Sequence, residues 1–455
     1  MNSRPAAGSF RDPAGRVIHS GGQLYRILHL EAREAYLRLM ESGLYDTLVA
    51  DGLLVSHEAI DHPIDPAKDI WRTIKPRRLP VVSYPYEWPF SVLQDAARLT
   101  LRVQREALKR GMTLKDASAF NVQLDGCRPI FIDTLSFEPR QPGPWRAYRQ
   151  FCQHFLAPLA LMAYRDTRLG RLFRVYPDGI PLDLASALLP ARTWAVPGLA
   201  MHLHVHARAE ARLGGSPIKS ATRDDPRAIE ALVDSLDRTI AKLSYRPRGP
   251  WTAYESERPS YSTEAAGQKT AIVDGWLERL RPAQVWDLGA NTGRFSRLAA
   301  ARGAYTVALD EDAGCVDLLY REGRAAGATN LVPLVMDLAA PSPGIGWAHE
   351  ERSSLRGRGP ADLLLSLALV HHLAVGRGIP FSEIARYFSS LGKALIVEFV
   401  PETDPLVRPL LATTPRPAAH WSQPEFESAF ARHFRTEASA TISDSARRLY
   451  LMTRP

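Results

Sequence analysis

The segment Asp287-Leu288-Gly289-Ala290-Asn291-Thr292-Gly293 carries the clearest chemistry in this 455-residue chain. A carboxylate closes a short apolar run, and a glycine turn follows that opens a helical stretch. In an open α/β sheet this is the position of a nucleotide-like ligand. The dinucleotide fingerprint GxGxxG fails, because Asn291 and Arg294 occupy its second and third glycine positions. No Gly-Lys-Ser/Thr follows, so the segment is not a Walker loop either. What remains is a carboxylate and a tight turn whose backbone approaches a ligand, with Asn291 able to hold the positive φ of a glycine.

Further groups recur at the ends of later apolar runs. Asp310, 23 residues after Asp287, ends TVALD and is followed by Glu311 and Asp312. Asp337 follows LVPLVM, His371-His372 follow LLLSLALV, and Glu398 sits in LIVEFV. Each has a plainer reading. The acidic triplet can be read as a solvated turn, Asp337 as a helix N-cap, one histidine as a hydrogen-bonded structural residue, and Glu398 as a packed or capping carboxylate.

Taken in order, these motifs resemble the class I S-adenosylmethionine-dependent methyltransferases over roughly the last 200 residues. Asp287, Gly289 and Gly293 match the family's acidic-x-Gly-x-Gly-x-Gly motif, with Asn291 as a substitution. The resemblance implies S-adenosyl-L-methionine as cofactor, Asp310 on its ribose hydroxyls and Asp337 on its adenine amino group. Ala290, Glu311, Leu338 and Ser366 would complete the cofactor's surroundings. His371 and His372 would face the methyl-transfer position, with His372 the favoured base. No Asn-Pro-Pro-Tyr-like tetrapeptide follows the fourth strand, which counts against amino methylation of nucleobases. The acceptor implied is a small molecule or peptide. The whole layout also looks like bacterial proteins labelled as nodulation-associated or uncharacterised methyltransferases.

The elements that must position these groups are legible. Ser262–Leu280 reads as an amphipathic helix stopped by Pro282. From Gln284 short apolar runs alternate with helical stretches, the pattern of a parallel sheet covered on both faces. Asp362–Val370 reads as its fourth strand, and consecutive residues of an extended strand point opposite ways. The fold class expected is α/β, a doubly wound Rossmann-like domain over 246–455. A connector rich in proline and charge, Ser244–Pro259, separates it from an α+β domain over 1–245.

In that first half a hairpin is expected around Gly21-Gly22, then a helix over REAYLRLMESGLYDTLVADG, and an amphipathic helix over Phe90–Arg110. Asp116, Asn121 and Asp133 follow with the spacing Asp-x4-Asn-x11-Asp. That run is similar to the catalytic segments of kinase-like phosphotransferases, with Asp116 matching the base and Asn121 and Asp133 the metal ligands. Leu114-Lys115 precede Asp116 where that family carries His-Arg or His-Gly, and no glycine-rich phosphate loop stands upstream. The resemblance therefore implies a degenerate scaffold that recognises the acceptor. Two alternatives stay open, a regulatory protein that binds the cofactor without turnover and a bifunctional phosphotransferase–methyltransferase. His202, His204 and His206 alternate as neighbours on a strand face would, with no cysteine or acid beside them, so no metal is expected there. Arg72, Lys75, Arg77 and Arg78 beside Trp71 read as a solvated basic loop.

Composition sets the outer limits. The length suits two or three domains at about 150 residues each. With 57 Lys+Arg against 49 Asp+Glu the net charge is +8. That excess is mild for the length; it permits an acidic partner without demanding one, and nucleic acid is not the partner expected. Cys127, Cys152 and Cys315 are too few and scattered for a disulfide framework. The longest apolar stretches fall short of the roughly 18 residues that span a bilayer. A cytoplasmic protein without a membrane partner is the expectation.

Overall fold

The computed structural model describes residues 4–60, 70–213, 226–245, 262–405, 407 and 421–455. Most of the expected connector, from 246 onward, lies outside these residues. The chain divides into two compact units, one of Met1–Arg246 with Gly344–Arg352, the other of Pro247–Pro343 with Ser353–Pro455. The segment Gly344–Arg352, expected within the second domain, thus belongs to the first unit.

The first unit opens with strands β1 (Arg4–Pro5), β2 (Gly15–Ser20), β3 (Gln23–His29), β4 (His57–Ile60) and β5 (Ile70–Pro76). They form an antiparallel sheet in the order β1-β2-β3-β5-β4. Gly21 and Gly22, at φ +56° and +76°, make the tight turn of the β2–β3 hairpin. The long helix expected after β3 is two helices, Arg33–Glu41 and Leu44–Ala50, because Gly43 adopts φ +68° between them. Arg72 and Lys75 lie within β5, not in a loop, and the Arg72 guanidinium covers the rings of Trp71 and Tyr36.

After this sheet runs the buried helix Phe90–Leu108. Four short strands follow, β6 (Met112–Leu114), β7 (Val122–Asp125), β8 (Arg128–Phe131) and β9 (Phe137–Pro139). β6 pairs with β9 and β7 with β8, both antiparallel. The run Ala200–Val205 is helical, which corrects the strand expected for His202, His204 and His206. Pro197 at a helix start and helical residues on both sides outweigh a two-residue alternation that three histidines alone suggested. Tyr148 and Ser235 hydroxyls meet the two nitrogens of His202 at 2.9 and 2.8 Å. Ser186 and Thr193 do the same for His204 at 2.7 and 2.9 Å. His206 stacks on Tyr148.

The second unit is built on a seven-stranded sheet of order β12-β11-β10-β13-β14-β16-β15. Its strands are β10 (Gln284–Leu288), β11 (Tyr305–Asp310), β12 (Leu331–Val335), β13 (Ala361–Ser366), β14 (Gly392–Phe399), β15 (Arg435–Thr441) and β16 (Arg448–Thr453). The first five run parallel. β16 and β15 add antiparallel, which closes the sheet with the tail. The chain winds outward from β10 through β11 to β12, then restarts at β13 on the other side. The gap between the carboxyl ends of β10 and β13 is therefore the switch point.

The parallel strands are almost wholly apolar, as burial on both faces requires. The helix Thr263–Leu280 packs Ala265, Val273 and Leu277 against Val285, Leu363, Leu365 and Ile396. Ser262 caps its first turn by accepting from Ala265 N–H at 3.1 Å. Its last turn ends at Arg281, in the left-handed region before Pro282.

Candidate active site

The glycine turn is held in place by its own backbone and by one carboxylate. Gly289 and Ala290 N–H both donate to Leu309 O, at 2.8 and 3.0 Å, so the turn is pinned to the end of β11. Gly289, Asn291 and Gly293 all have positive φ, +75°, +49° and +83°. Asn291 thus adopts the conformation its residue type permits. A Cβ on Gly289 would come within 3.1 Å of the Leu369 side chain, and one on Gly293 within 2.4 Å of Leu319. The first glycine keeps the rim of the switch point narrow, and the second lets the helix Arg294–Ala301 start close to its neighbour.

Asp287 is buried, 3% exposed, and accepts from Ser296 Oγ at 2.5 Å. Burial chiefly, with the Asp310 charge adding to it and the Ser296 hydrogen bond and Lys269 charge opposing it, raises its pKa to about 6. Asp310 uses one oxygen for Asn291 N–H at 2.7 Å and the other for Asp312 N–H at 2.8 Å. Burial raises its pKa to about 6 as well. It is therefore a clasp for the turn in addition to any ligand role. Asp312 caps the next helix through Gly314 and Cys315 N–H, which dissolves the acidic triplet into three separate functions.

Glu311 is exposed and pairs with Arg377 at 3.1 Å. Arg377 also stands 3.7 Å from Asp337 Oδ2. Asp337 does not cap a helix; its Oδ1 accepts from Ala339 N–H at 2.9 Å and closes a turn. Leu338 beside it is buried. Ala290 is half-buried on the turn.

The fourth strand is shorter than expected. β13 ends at Ser366, and Ala368 takes φ +55°. His371 and His372 therefore lie at the start of a helical turn, with ring centroids 4.1 Å apart. The apolar run through Val370 hid this change, since periodicity cannot separate buried strand from buried turn. The rule that consecutive residues of an extended strand point opposite ways therefore does not govern these two rings. His371 is buried, 3% exposed, and its Nδ1 has no hydrogen-bond partner among the described residues. Ser366 Oγ is likewise buried without a partner among them. Burial first, then His372, Arg447 and Lys269, hold His371 well below the usual histidine range. Burial and Arg447 lower His372 also.

Behind the histidines is an ion network that the sequence announced only in part. Lys269 Nζ meets Glu398 Oε2 at 2.6 Å, and Arg447 approaches Glu398 Oε1 at 3.6 Å. Arg447 also grips Asp404 through Nε at 2.7 Å and Nη2 at 3.2 Å. All four residues are buried. Lys269 was findable, for it falls on the same helix stripe as Ala265, Val273 and Leu277, four residues from each neighbour. A lysine on an apolar stripe needs a buried partner. Arg447 and Asp404 gave no such signal, being brought together only by the tail's return to the sheet.

In the first unit Asp116, Asn121 and Asp133 come together. Asp116 accepts from Ser118 N–H and Gln150 Nε2, at 2.9 and 2.8 Å. Asn121 Nδ2 donates to Ser136 Oγ at 3.0 Å, and that hydroxyl donates to Asp133 Oδ2 at 2.6 Å. Asp133 Oδ1 is paired with the Arg26 guanidinium from β3. Burial and Asp133 together raise the Asp116 pKa.

Comparison with known proteins adds a whole-length relative. Nodulation protein NoeA of Rhizobium meliloti is 31% identical over 463 residues, spanning 98% of this chain and 96% of that protein. The chain belongs to the NoeA family. No family model matches it. Among solved structures, magnesium protoporphyrin IX methyltransferase from Synechocystis PCC 6803 with bound SAH is 20% identical. That match covers 42% of this chain and 84% of that one, at a TM-score of 0.31. The bifunctional kinase-methyltransferase WbdD is 17% identical over 44% of this chain and 42% of its own, also at 0.31. No helix among the described residues is long and apolar enough to cross a membrane.

Proposed function

We propose that this chain is an S-adenosyl-L-methionine-dependent methyltransferase acting on a small-molecule or peptide acceptor. The observation that carries the reading is the switch point itself. There a positive-φ turn at Gly289, Asn291 and Gly293 meets Leu369, within the segment whose Ser366 Oγ and His371 Nδ1 are buried and lack partners among the described residues. Buried polar atoms are normally satisfied, and a polar ligand at this place satisfies them.

The residues present fit the cofactor. Asp287 is suited to its ammonium group, Asp310 and Glu311 to its ribose hydroxyls, and Asp337 with Leu338 to the adenine. Ala290 lines the turn. When bound, the cofactor supplies a methyl group already activated by a sulfonium. The protein's own task is then positioning. His371 and His372 hold the acceptor at the carboxyl end of β13, and a base is needed only where the acceptor retains a proton. The family relationship supports a bacterial origin, and a cytoplasmic site of action fits three buried cysteines that form no disulfide among the described residues.

The first unit is read as a kinase-like scaffold without phosphotransfer. The paired strands β6–β9 and β7–β8 bring Asp116, Asn121 and Asp133 into one cluster, which favours the scaffold. Arg26 already neutralises Asp133, the residue a divalent metal would need. Its role is to recognise the acceptor.

Calorimetry tests these readings together. S-adenosylmethionine and its demethylated product should bind, whereas NAD and magnesium–ATP should not. Gly289→Val should abolish cofactor binding, since a β-branched residue is strained at φ +75° and meets Leu369. Tight NAD binding would overturn the reading of the turn, and magnesium–ATP binding would restore a phosphotransferase.

A further inference from the structure

The glycine turn leads into the helix Arg294–Ala301, whose N-cap, Gly293, has no side chain to cap it. The first N–H groups of a helix find no partners within it. Here the cap comes from the preceding strand. Asp287, near the end of β10, accepts from the Ser296 hydroxyl at 2.5 Å and from the Ser296 backbone N–H as well. Ser296 is the third residue of the helix and is completely buried. A separation of 2.5 Å between a hydroxyl and a carboxyl oxygen is that of a bond to an ionised acceptor, roughly twice as strong as a neutral one.

That bond bears on which form of Asp287 a ligand meets. The other charged groups around it are Asp310 at the end of β11 and Lys269 on the helix Thr263–Leu280. Burial and Asp310 favour the protonated acid, Ser296 and Lys269 the carboxylate. Lys269 is itself engaged by Glu398 of β14 at 2.6 Å, so the Ser296 hydroxyl is the group that holds Asp287 by direct contact.

We infer that Ser296 is a positioning residue of the cofactor site: its hydroxyl fixes Asp287 in one orientation and in the ionised form that an ammonium group requires. The inference rests on the methyltransferase reading, in which Asp287 receives the ammonium of the cofactor. It adds a residue that the glycine motif passes over, since Ser296 lies beyond the last glycine of the turn. A protonated Asp287 offers no charge, and one of its oxygens becomes a donor. An ammonium group only donates, so it cannot use that oxygen.

The test is calorimetry of the full-length protein with S-adenosylhomocysteine, native against Ser296→Ala, over a series of pH values. Loss of the hydroxyl raises the pH at which Asp287 ionises by about one unit or more, the size of a hydrogen bond to a charged group. Affinity should therefore fall roughly tenfold at about pH 6 and less than about twofold at about pH 8.5. The ratio of variant to native at each pH cancels the titration of the ligand itself. If Ser296→Ala does not fold, Ser296→Cys keeps the bulk, weakens the donation, and should move the profile the same way. A loss that is equal at every pH, or no loss at all, overturns the inference and leaves Ser296 as a helix-start residue that only packs. Failure of S-adenosylhomocysteine to bind the native protein in the same titration sinks the underlying methyltransferase reading instead.

Discussion

Asp287 shows how one buried carboxylate sets opposite pH trends for stability and for binding. Its folded pKa, about 6, lies above the unfolded value near 4. Between those values the folded state holds a proton that the unfolded state gives up, so this residue's contribution to stability falls as pH rises. Raising a carboxyl pKa from about 4 to about 6 corresponds to about 3 kcal/mol. Asp287→Asn should therefore gain about that much relative to the native protein between about pH 4 and pH 7, measured by urea unfolding at a series of pH values. A cationic ammonium favours the ionised carboxylate, so S-adenosylmethionine affinity should rise through about pH 6 in the native protein. The Asn variant should bind weakly and without that pH dependence. A variant that follows the native profile would show that Asp287 does not titrate in this range. Asp310 differs, because both its oxygens are committed to backbone N–H groups, so its loss disturbs the turn before it disturbs any ligand.

At the scale of elements, the alternation of apolar runs and helices from Gln284 onward made the parallel sheet legible, and the glycine turn with it. Two features escaped. β13 stops at Ser366 because Ala368 turns the chain, and nothing in LLLSLALV marks that place. β15, RTEASAT, is half-exposed and polar, so only its pairing with β16 makes it a strand. The turn's second glycine was legible as a motif, while its reason was not. Gly293 N-caps the helix Arg294–Ala301 at φ +83°, with Leu319 of the following helix directly against it. Gly293→Ala should cost about 1–3 kcal/mol for the strained conformation, with more added as Leu319 moves. Urea unfolding should register the loss, and calorimetry a parallel fall in cofactor affinity. Native stability in this variant would mean that the helix start can shift to admit a methyl group.

Across the whole molecule the chain passes between the two units at three places, once after Arg246 and twice around Gly344–Arg352. Prolines announce the first crossing. The excursion between β12 and β13 opens on the Pro/Gly-rich run PSPGIG, but composition does not say what holds it, because its partners lie more than 200 residues away. Glu351 accepts from Arg11 Nε at 2.9 Å and Nη2 at 2.7 Å. Arg352 lies over the Phe120 ring, next to Asn121, with its guanidinium carbon 4.4 Å from the ring centroid. Gly8, at φ +80°, lets its backbone pass so close that a Cβ would stand 2.8 Å from Glu351 Cα. The ion pair is half in solvent and is worth about 1 kcal/mol or less. The close backbone passage is the stronger tie, because no rotamer change relieves a clash with a main chain. Gly8→Val should therefore release the excursion, and hydrogen exchange should speed up over 344–352 while β10 to β14 keep their protection. Arg11→Ala should produce only a few-fold acceleration in the same segment. If Gly8→Val leaves 344–352 as protected as in the native protein, the excursion is held by other contacts, and Gly8 serves only the turn after β1.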